Sequence, residues 1–194
     1  QFLIEHGADV TFAPIASIYG PASPMIGVLS TYARGSNDAK HRYIDILLKK
    51  GATVPQEVTP AMLAIHRGKA DELRQRLDAD PSLSQKRFTD MPYGNIALRG
   101  GTLLHMAVEF GEIECVDLLL ERGANINATA QSIDGTGGQT PIFHAIASPI
   151  AGGNLRVLQH LLNRVRQWID MSVRARVVRF GELQPAAQTP LEYA

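Results

Sequence analysis

Residues 100–127 read GGTLLHMAVEFGEIECVDLLLERGANIN, and this stretch decides the fold of the chain. The apolar residues of its first half recur at helical spacing, at Leu103, Leu104, Ala107 and Val108. Those of its second half follow the i, i+3, i+6, i+7 pattern of a one-sided helix, at Ile113, Val116, Leu119 and Leu120. Gly111 separates the halves, and Gly123 follows the last apolar residue, where a left-handed helix end favours a residue without Cβ. The stretch therefore predicts two helices joined by a short turn.

Parts of this unit recur along the whole chain. The end of its second helix returns as HGADV at 6–10, KGATV at 50–54 and RGANI at 122–126. Its start returns as Ser or Thr, in most cases followed by Pro, which suits a helix N-terminus because the hydroxyl accepts an orphan amide hydrogen. These starts lie 36, 43, 38 and 49 residues apart, at Ser23, Thr59, Thr102, Thr140 and Thr189. A unit of about thirty residues cannot bury its apolar face alone, so we expect a stack of such units.

The repeated unit resembles the ankyrin repeat, which reads roughly G-x-T-P-L-H-x-A-x-x-x-G and then L-L-L-x-x-G-A-D-V-N. The unit at 100–127 matches almost throughout; it departs at Leu103, where Pro is usual, and at Asn125, where Asp is usual. The resemblance implies an all-α solenoid of helix-turn-helix units, with β-hairpin fingers projecting at right angles to the helices.

The resemblance covers nearly the whole chain, so we expect a single ankyrin-repeat domain over residues 1–194. Its parts are the end of a truncated repeat at 1–13, repeats at 23–54, 59–88, 100–129 and 138–172, and the start of a truncated repeat at 189–194. Gln1 stands where an initiator Met would, which suggests a fragment of a longer protein. Unusual linkers join some units, and in the linker at 170–188 the alternation Ser172–Val177 predicts a strand.

Composition narrows the classes of function. The chain is 45% hydrophobic and holds 19 basic and 19 acidic residues, so no overall field favours nucleic acid or a membrane surface. No apolar run approaches the roughly 18–20 residues of a membrane span. Cys115 is the only cysteine, which excludes an intrachain disulfide and suits a reducing compartment. We expect an intracellular, cytoplasmic monomer that binds no membrane, with Cys115 a buried and inert thiol.

Candidate chemistry is sparse. His105 and Glu109 share a helix face at i, i+4, the spacing of a metal edge or a general-base pair, but no third ligand accompanies them. In the ankyrin family this His position usually ties neighbouring repeats together, so we expect a structural role for His105. The glycine-rich run Asp134–Thr140 lacks the Lys of a phosphate loop and reads as a finger tip. We therefore expect no catalytic residues, no metal and no cofactor.

One cationic cluster stands out near the C-terminus, at Arg164, Arg166, Arg174, Arg176 and Arg179. Arginine suits bidentate contacts with carboxylate or phosphate. Residues 150–194 hold six arginines against three acids, whereas residues 88–140 hold seven acids against two arginines. The cluster is therefore interpreted as a surface for an acidic protein or as an internal partner of the acidic middle repeats, with nucleic acid the less favoured alternative because the chain is neutral overall.

The resemblance implies protein binding across the concave face formed by first helices and finger tips. An aromatic residue beside a charge is typical of interaction hot spots, which favours Phe110 as an anchor; the alternative is that Phe110 packs under the 82–99 loop. The candidate partner-binding residues are His66, Arg67, Arg99, Glu109, Phe110, Gln139 and Ser148, with Arg174, Arg176 and Arg179 as a second patch. Two further hypotheses are a regulatory or structural segment of a larger protein and a nucleic-acid or phosphate binder using the C-terminal arginines.

Overall fold

The structure is a computed structural model of the chain. The residues that it describes are 5–11, 23–30, 37–89, 91, 98–132, 137–147, 155–176, 178–179, 182–183 and 186–193.

Helices follow one another as pairs, with a shorter first and a longer second member in each. The first-position helices are α1 (Pro24–Leu29), α3 (Pro60–His66), α5 (Leu103–Phe110), α7 (Pro141–Ala147) and α9 (Pro190–Tyr193). The second-position helices are α2 (Asp38–Lys49), α4 (Ala70–Ala79), α6 (Ile113–Glu121) and α8 (Leu155–Val165). The helix-turn-helix unit predicted from residues 100–127 is therefore confirmed.

The helix starts use the predicted capping chemistry. The Ser23 hydroxyl accepts a hydrogen bond from the amide of Ile26 at 3.2 Å, and the Thr59 hydroxyl accepts one from Met62 at 3.3 Å. Proline follows each of these caps at a position whose amide would have no helical partner. The first and second helices are separated by tight turns, and Gly111 ends α5 in the left-handed region at φ 76°.

Several repeat ends contain a short turn built on one Asp or Asn side chain. The Oδ1 of Asp9, Asp80, Asn125 and Asp170 each accepts a hydrogen bond from the amide two residues later, at 2.8, 3.1, 2.9 and 2.9 Å. Such Asx turns mimic a backbone turn and hold the chain locally. They occur even at repeat ends whose sequence lacks the usual Gly-Ala pair.

The core lies between the stacked helix layers. Helix α5 packs against α3, α6 and α7, and every one of its residues is buried. Four of the apolar residues that recur at helical spacing are fully buried in this core: Leu104, Ala107, Val116 and Leu119. Because each is fully removed from water, each contributes about 1–3 kcal/mol of hydrophobic stabilisation.

The fingers are joined to each other by backbone hydrogen bonds. Strands β1 (Leu98–Arg99), β2 (Ala130–Ser132) and β3 (Gly137–Gln139) form one antiparallel sheet in that order. An antiparallel bridge from Gly137 to Arg176 carries this sheet into the next finger, where β4 (Val178–Arg179) pairs with β5 (Glu182–Leu183). The fingers therefore form a connected rim along one side of the helices.

The linker at 170–188 differs in detail from its prediction. The described part of the alternating segment, residues 172–176, forms no continuous strand; instead, Ala175 and Arg176 make isolated bridges to Gln188 and Gly137. Val177 lies outside the described residues. The Asx turn of Asp170 occupies the beginning of the segment, and its Oδ1 also accepts the hydroxyl of Ser172 at 2.6 Å. The period-two alternation remains visible in burial, because Ala175 is buried between exposed arginines.

Among the described residues, no helix is long and apolar enough to cross a membrane.

Candidate partner-binding surface

The histidine of the central repeat links two repeats. The backbone amide of Thr102 donates to His105 Nδ1 at 3.1 Å, so Nδ1 is an acceptor and the proton sits on Nε2. That Nε2 donates to the Gln139 carbonyl of the next repeat at 3.2 Å. Complete burial, and next the neighbouring His144, lower the pKa of His105 to about 3, so the ring is neutral at pH 7. The structural role expected for His105 is confirmed.

Glu109 is part of the same buried network rather than of an exposed surface. Its Oε2 lies 2.6 Å from Nδ1 of His144, and both side chains are buried between α5 and α7. The ring of His144 in turn lies edge-on to that of His105, with centroids 5.4 Å apart. The prediction that Glu109 is open to a partner is wrong, because the next first helix supplies a histidine that covers its carboxylate.

Phe110 and His66 are also buried. The side chain of Phe110 is only 5% exposed, and its ring centroid lies 4.5 Å from that of His66 on α3. On its other side the ring meets Lys40 of α2, whose Nζ lies 3.7 Å from the centroid. Predicting an exposed aromatic anchor at Phe110 is therefore wrong: earlier repeats enclose the ring. The alternative contact with the 82–99 loop falls partly on residues 90 and 92–97, which lie outside the described residues.

Lys40 is a buried charged residue that was not predicted from the sequence. Its side chain is buried, and its Nζ makes no hydrogen bond to any described residue. Burial lowers the pKa of Lys40 from its ordinary 10.5 to about 7, and the carboxylates of Glu112 and Glu109 offset part of this shift. Burial, and next the charge of Lys40, hold the pKa of His66 well below its usual range. The helical spacing of Lys40 with Ile44 and Leu47 could have revealed it as core-facing.

Lys40 belongs to a polar bridge that joins the first described repeat to the third. The Asn37 amide donates to the Phe110 carbonyl at 2.6 Å and to Glu112 Oε1 at 2.7 Å. His41 Nε2 lies 2.8 Å from the same Oε1. The bridge passes over the intervening turn at Gly68, where an added Cβ would meet the His41 ring and lie 2.9 Å from Glu112 Oε2. A glycine is therefore required where the bridge crosses.

Two more candidate residues are engaged within the stack. Arg67 Nε donates to Asp45 Oδ1 at 2.7 Å, and its Nη1 donates to Glu72 Oε2 at 2.6 Å. The guanidinium is partly buried, and its Nε and one of its Nη atoms are already engaged by these two carboxylates. Gln139 is buried on β3, with its carbonyl held by His105. The expectation that Gln139 faces a partner is wrong, because the alternation of β3 turns its side chain inward.

The exposed candidate residues lie on the fingers. Arg99 and Arg176 are exposed and form no ion pair with any residue that the structure describes. Arg174 is exposed as well, but it donates to the Ala187 carbonyl at 2.6 Å and to Glu192 Oε1 at 3.0 Å. Arg179 is placed by the backbone of β4, whereas Ser148 lies outside the described residues. Within the part of the chain that the structure describes, Arg99 and Arg176 are therefore exposed cations without a carboxylate partner.

Arg164, another arginine of the cationic cluster, pairs with acids of the middle repeat. Arg164 on α8 lies 3.2 Å from Asp117 Oδ1 and 3.2 Å from Glu121 Oε1, both on α6. His160 joins them at 2.7 Å from the same Asp117 oxygen. This agrees with the interpretation in which C-terminal arginines pair with acids of the middle repeat.

The family of the chain follows from its comparison with known proteins. A family model described as "Ankyrin repeats (3 copies)" matches residues 32–130 and 85–174, which together span well over half of the sequence. The chain belongs to the ankyrin-repeat family, whose members are generally non-catalytic modules for protein interaction.

Particular relatives are cation channels. The chain is 32% identical over 146 residues to "Transient receptor potential cation channel subfamily V member 1" of Cavia porcellus. It is 30% identical over 146 residues to the protein of the same description from Oryctolagus cuniculus. Each match covers 72% of this chain and 17% of the relative, so the similarity concerns a small part of those proteins.

Proposed function

We propose that this chain is a protein-interaction module whose partner binds to the fingers rather than along the first helices. The observation that supports this is the division of the candidate residues by burial. His66, Glu109 and Phe110 are enclosed by neighbouring repeats, whereas Arg99 is exposed on β1 and Arg176 is exposed at its backbone bridge to Gly137. A binding surface held by a backbone sheet is ordered before the partner arrives, which lowers the entropy cost of binding.

The proposal includes no turnover step. The buried histidines of the first helices are occupied in contacts between repeats, so a substrate would not reach them. Among the described residues, no group of three or more His, Cys, Asp or Glu side chains lies together as a metal site would require. The chemistry available on the fingers is that of charge and hydrogen bonding, which suits reversible binding.

Site-resolved photo-cross-linking tests this proposal. A photoreactive amino acid replaces Gln131 on β2 in one variant and Arg156 on α8 in a matched control, both of which are exposed positions. After irradiation in an extract of the source cells, we expect discrete protease-sensitive adducts at position 131 and none of the same mass at 156. Equal adducts at the two positions, or adducts removed by nuclease instead of protease, would contradict binding of a protein at the fingers.

A second candidate function is that of a regulatory segment within a larger cation channel on the cytoplasmic side of a membrane. It is favoured by the similarity to the two channel proteins, of which this chain matches 17%. The full-length gene product should then contain apolar helices of about 20 residues outside the stretch described. Expressed in cells and studied by patch clamp, it should pass a cation current. A full-length product that lacks such helices and gives no current would eliminate this candidate.

A further inference from the structure

Backbone register places exposed side chains of the fingers in one row. Arg99 pairs with Gln131, Gln131 pairs with Gly137, and Gly137 pairs with Arg176. Residues directly opposite each other on antiparallel strands share a face of the sheet. Burial agrees, since Arg99, Gln131 and Arg176 are exposed while Ala130 and Ala175, their neighbours in sequence, are buried. We call Arg99, Gln131, Gly137 and Arg176 the finger row.

The ends of the finger row are two arginines whose backbone separation is set by the sheet pairing. Three strand spacings lie between Arg99 and Arg176, which amounts to about 14 Å between their backbones. An extended peptide rises about 3.4 Å per residue and turns alternate side chains to the same side. Residues four apart in such a peptide therefore share a face and lie about 14 Å from one another. The separation of the arginines matches this i, i+4 distance.

The chemistry between the ends also suits an extended chain. Gly137 contributes no side chain, so a peptide backbone can approach the sheet there. Gln131 is exposed beside it and offers an amide that both donates and accepts hydrogen bonds. At the ends, each guanidinium can hold a carboxylate with two parallel hydrogen bonds. Neither guanidinium is committed to a carboxylate among the described residues, in contrast to Arg174 with Glu192.

We infer that the finger row binds an extended acidic peptide segment that carries two carboxylate side chains four residues apart. One carboxylate pairs with Arg99 and the other with Arg176, while Gln131 contacts the peptide backbone between them. This inference rests on the proposed function and specifies the partner chemistry of that surface. A protein segment is favoured over single-stranded nucleic acid because the row contains no aromatic side chain on which a base could stack.

Short fluorescent peptides test the spacing directly. The first probe contains the core Glu-Thr-Val-Thr-Glu, the second has the same composition with its glutamates two residues apart, and the third has one glutamate replaced by glutamine. Binding is measured by fluorescence anisotropy at low and at physiological salt. We expect the first probe to bind about fivefold to tenfold more tightly than either of the others, with the difference shrinking as salt screens the charges.

Matched variants connect the spacing to the finger row. Arg99→Gln and Arg176→Gln should each lower the affinity for the first probe to that of the probe with one glutamate. Arg156→Gln removes the same charge from an exposed position on α8 and should leave binding unchanged. Unchanged thermal unfolding of all three variants establishes that each is folded, as expected for exposed side chains.

The outcomes separate this inference from the proposed function. Equal affinity for the two glutamate spacings overturns the inference, as does an equal loss in Arg156→Gln. A single-stranded oligonucleotide that displaces the first probe and loses binding in Arg99→Gln overturns it as well. If cross-links at position 131 to a protein persist alongside any of these results, the proposed function stands and only the acidic-peptide inference fails. Absence of those cross-links removes the basis of both.

Discussion

The buried amine of Lys40 has a lowered pKa inside the stack. Lys40 is 4% exposed and lies over the Phe110 ring, with Glu112 and Glu109 near enough to raise its pKa and with His66 beside it. Desolvation outweighs these carboxylates, because the net shift in the pKa of Lys40 is downward. A lysine that is neutral in the folded chain above about pH 7 but charged in the unfolded chain makes stability depend on pH.

We predict that Lys40→Met stabilises the protein at pH 7. Between the folded pKa of about 7 and the ordinary value of 10.5, the unfolded chain binds a proton that the folded chain does not. The free energy of unfolding of the parent protein therefore rises with pH through this window. Below the window, the cost of burying the protonated amine destabilises the folded protein in full. Methionine has a similar length without the charge, so the gain should be on the order of a few kcal/mol at pH 7 and shrink towards pH 10. Urea unfolding at a series of pH values measures it.

Lys49→Met provides the control for this experiment. Lys49 lies on the same helix but is exposed, so its substitution should change the free energy of unfolding by less than about 0.5 kcal/mol at every pH. A Lys40→Met variant that is less stable than the parent at pH 7, or whose difference from the parent stays constant with pH, would show that Lys40 is not held neutral by burial.

The thiol of Cys115 should be unreactive in the folded protein. It is fully buried, and burial, followed by the charges of Glu112 and Glu114, raises its pKa to about 12. Since the thiolate is the nucleophile, Ellman's reagent at pH 8 should label Cys115 only after guanidinium chloride is added. Arg156→Cys supplies an exposed thiol in the same molecule and should react at once. Rapid labelling of the parent protein under native conditions would refute the assignment.

Predictions for single residues were confirmed where the local sequence determines the structure. They were wrong where residues distant in the sequence determine whether a side chain is buried. The caps at Ser23 and Thr59 depend only on their own first turn, so the sequence predicts them. Whether Phe110 is exposed depends on Lys40 and His66, which lie 70 and 44 residues earlier in the chain. The family pattern locates an edge position but does not say which distant side chain covers it.

At the scale of elements, helices were more predictable than fingers. The period of apolar residues identifies the α5–α6 pair because both helices bury a continuous stripe. The strands of the fingers have two or three residues each, which is too short for alternation to stand out. Their register comes from backbone bonds between repeats, such as Gly137 amide to Arg176 carbonyl at 3.1 Å. The finger row was therefore visible only in the fold.

Gly138→Ala should destabilise the protein by about 2–4 kcal/mol, as an order of magnitude for left-handed strain combined with a backbone clash. Gly138 has φ 84°, and a Cβ there would lie 2.9 Å from the carbonyl oxygen of Arg174. Relief of this contact requires the neighbouring finger to move away, which disrupts the bridge between Gly137 and Arg176. Thermal unfolding measures the loss, and hydrogen exchange of the Arg176 amide should accelerate.

Gly51→Ala separates the two causes. Gly51 has φ 85°, nearly the same as Gly138, but nothing lies within 4 Å of its added Cβ. It therefore reports left-handed strain alone, about 1–2 kcal/mol. If Gly51→Ala and Gly138→Ala cost the same, close contact between the fingers contributes nothing and the rim is looser than the structure shows.

At the scale of the whole molecule, the stack departs from a simple chain of neighbouring contacts. In a repeat protein each unit normally contacts only the next, so stability is close to a sum over nearest neighbours. Here Asn37, the N-cap of α2, and Lys40 and His41 within α2 reach past the second described repeat to Phe110 and Glu112. This polar bridge joins nonadjacent repeats by direct contacts, and no repeat pattern in the sequence predicts it.

We predict that Asn37→Ala reduces both the stability and the cooperativity of unfolding. The variant loses the bonds to the Phe110 carbonyl and to Glu112 Oε1 and leaves their oxygens less satisfied, which costs about 1–3 kcal/mol. If the bridge couples nonadjacent repeats, the urea m-value should also fall, because repeats freed from coupling unfold over a wider range. Asn163→Ala, at an exposed position of α8, is the control and should alter neither quantity. A stability loss with an unchanged m-value would mean that Asn37 makes ordinary hydrogen bonds and that nearest-neighbour contacts alone carry the cooperativity of the stack.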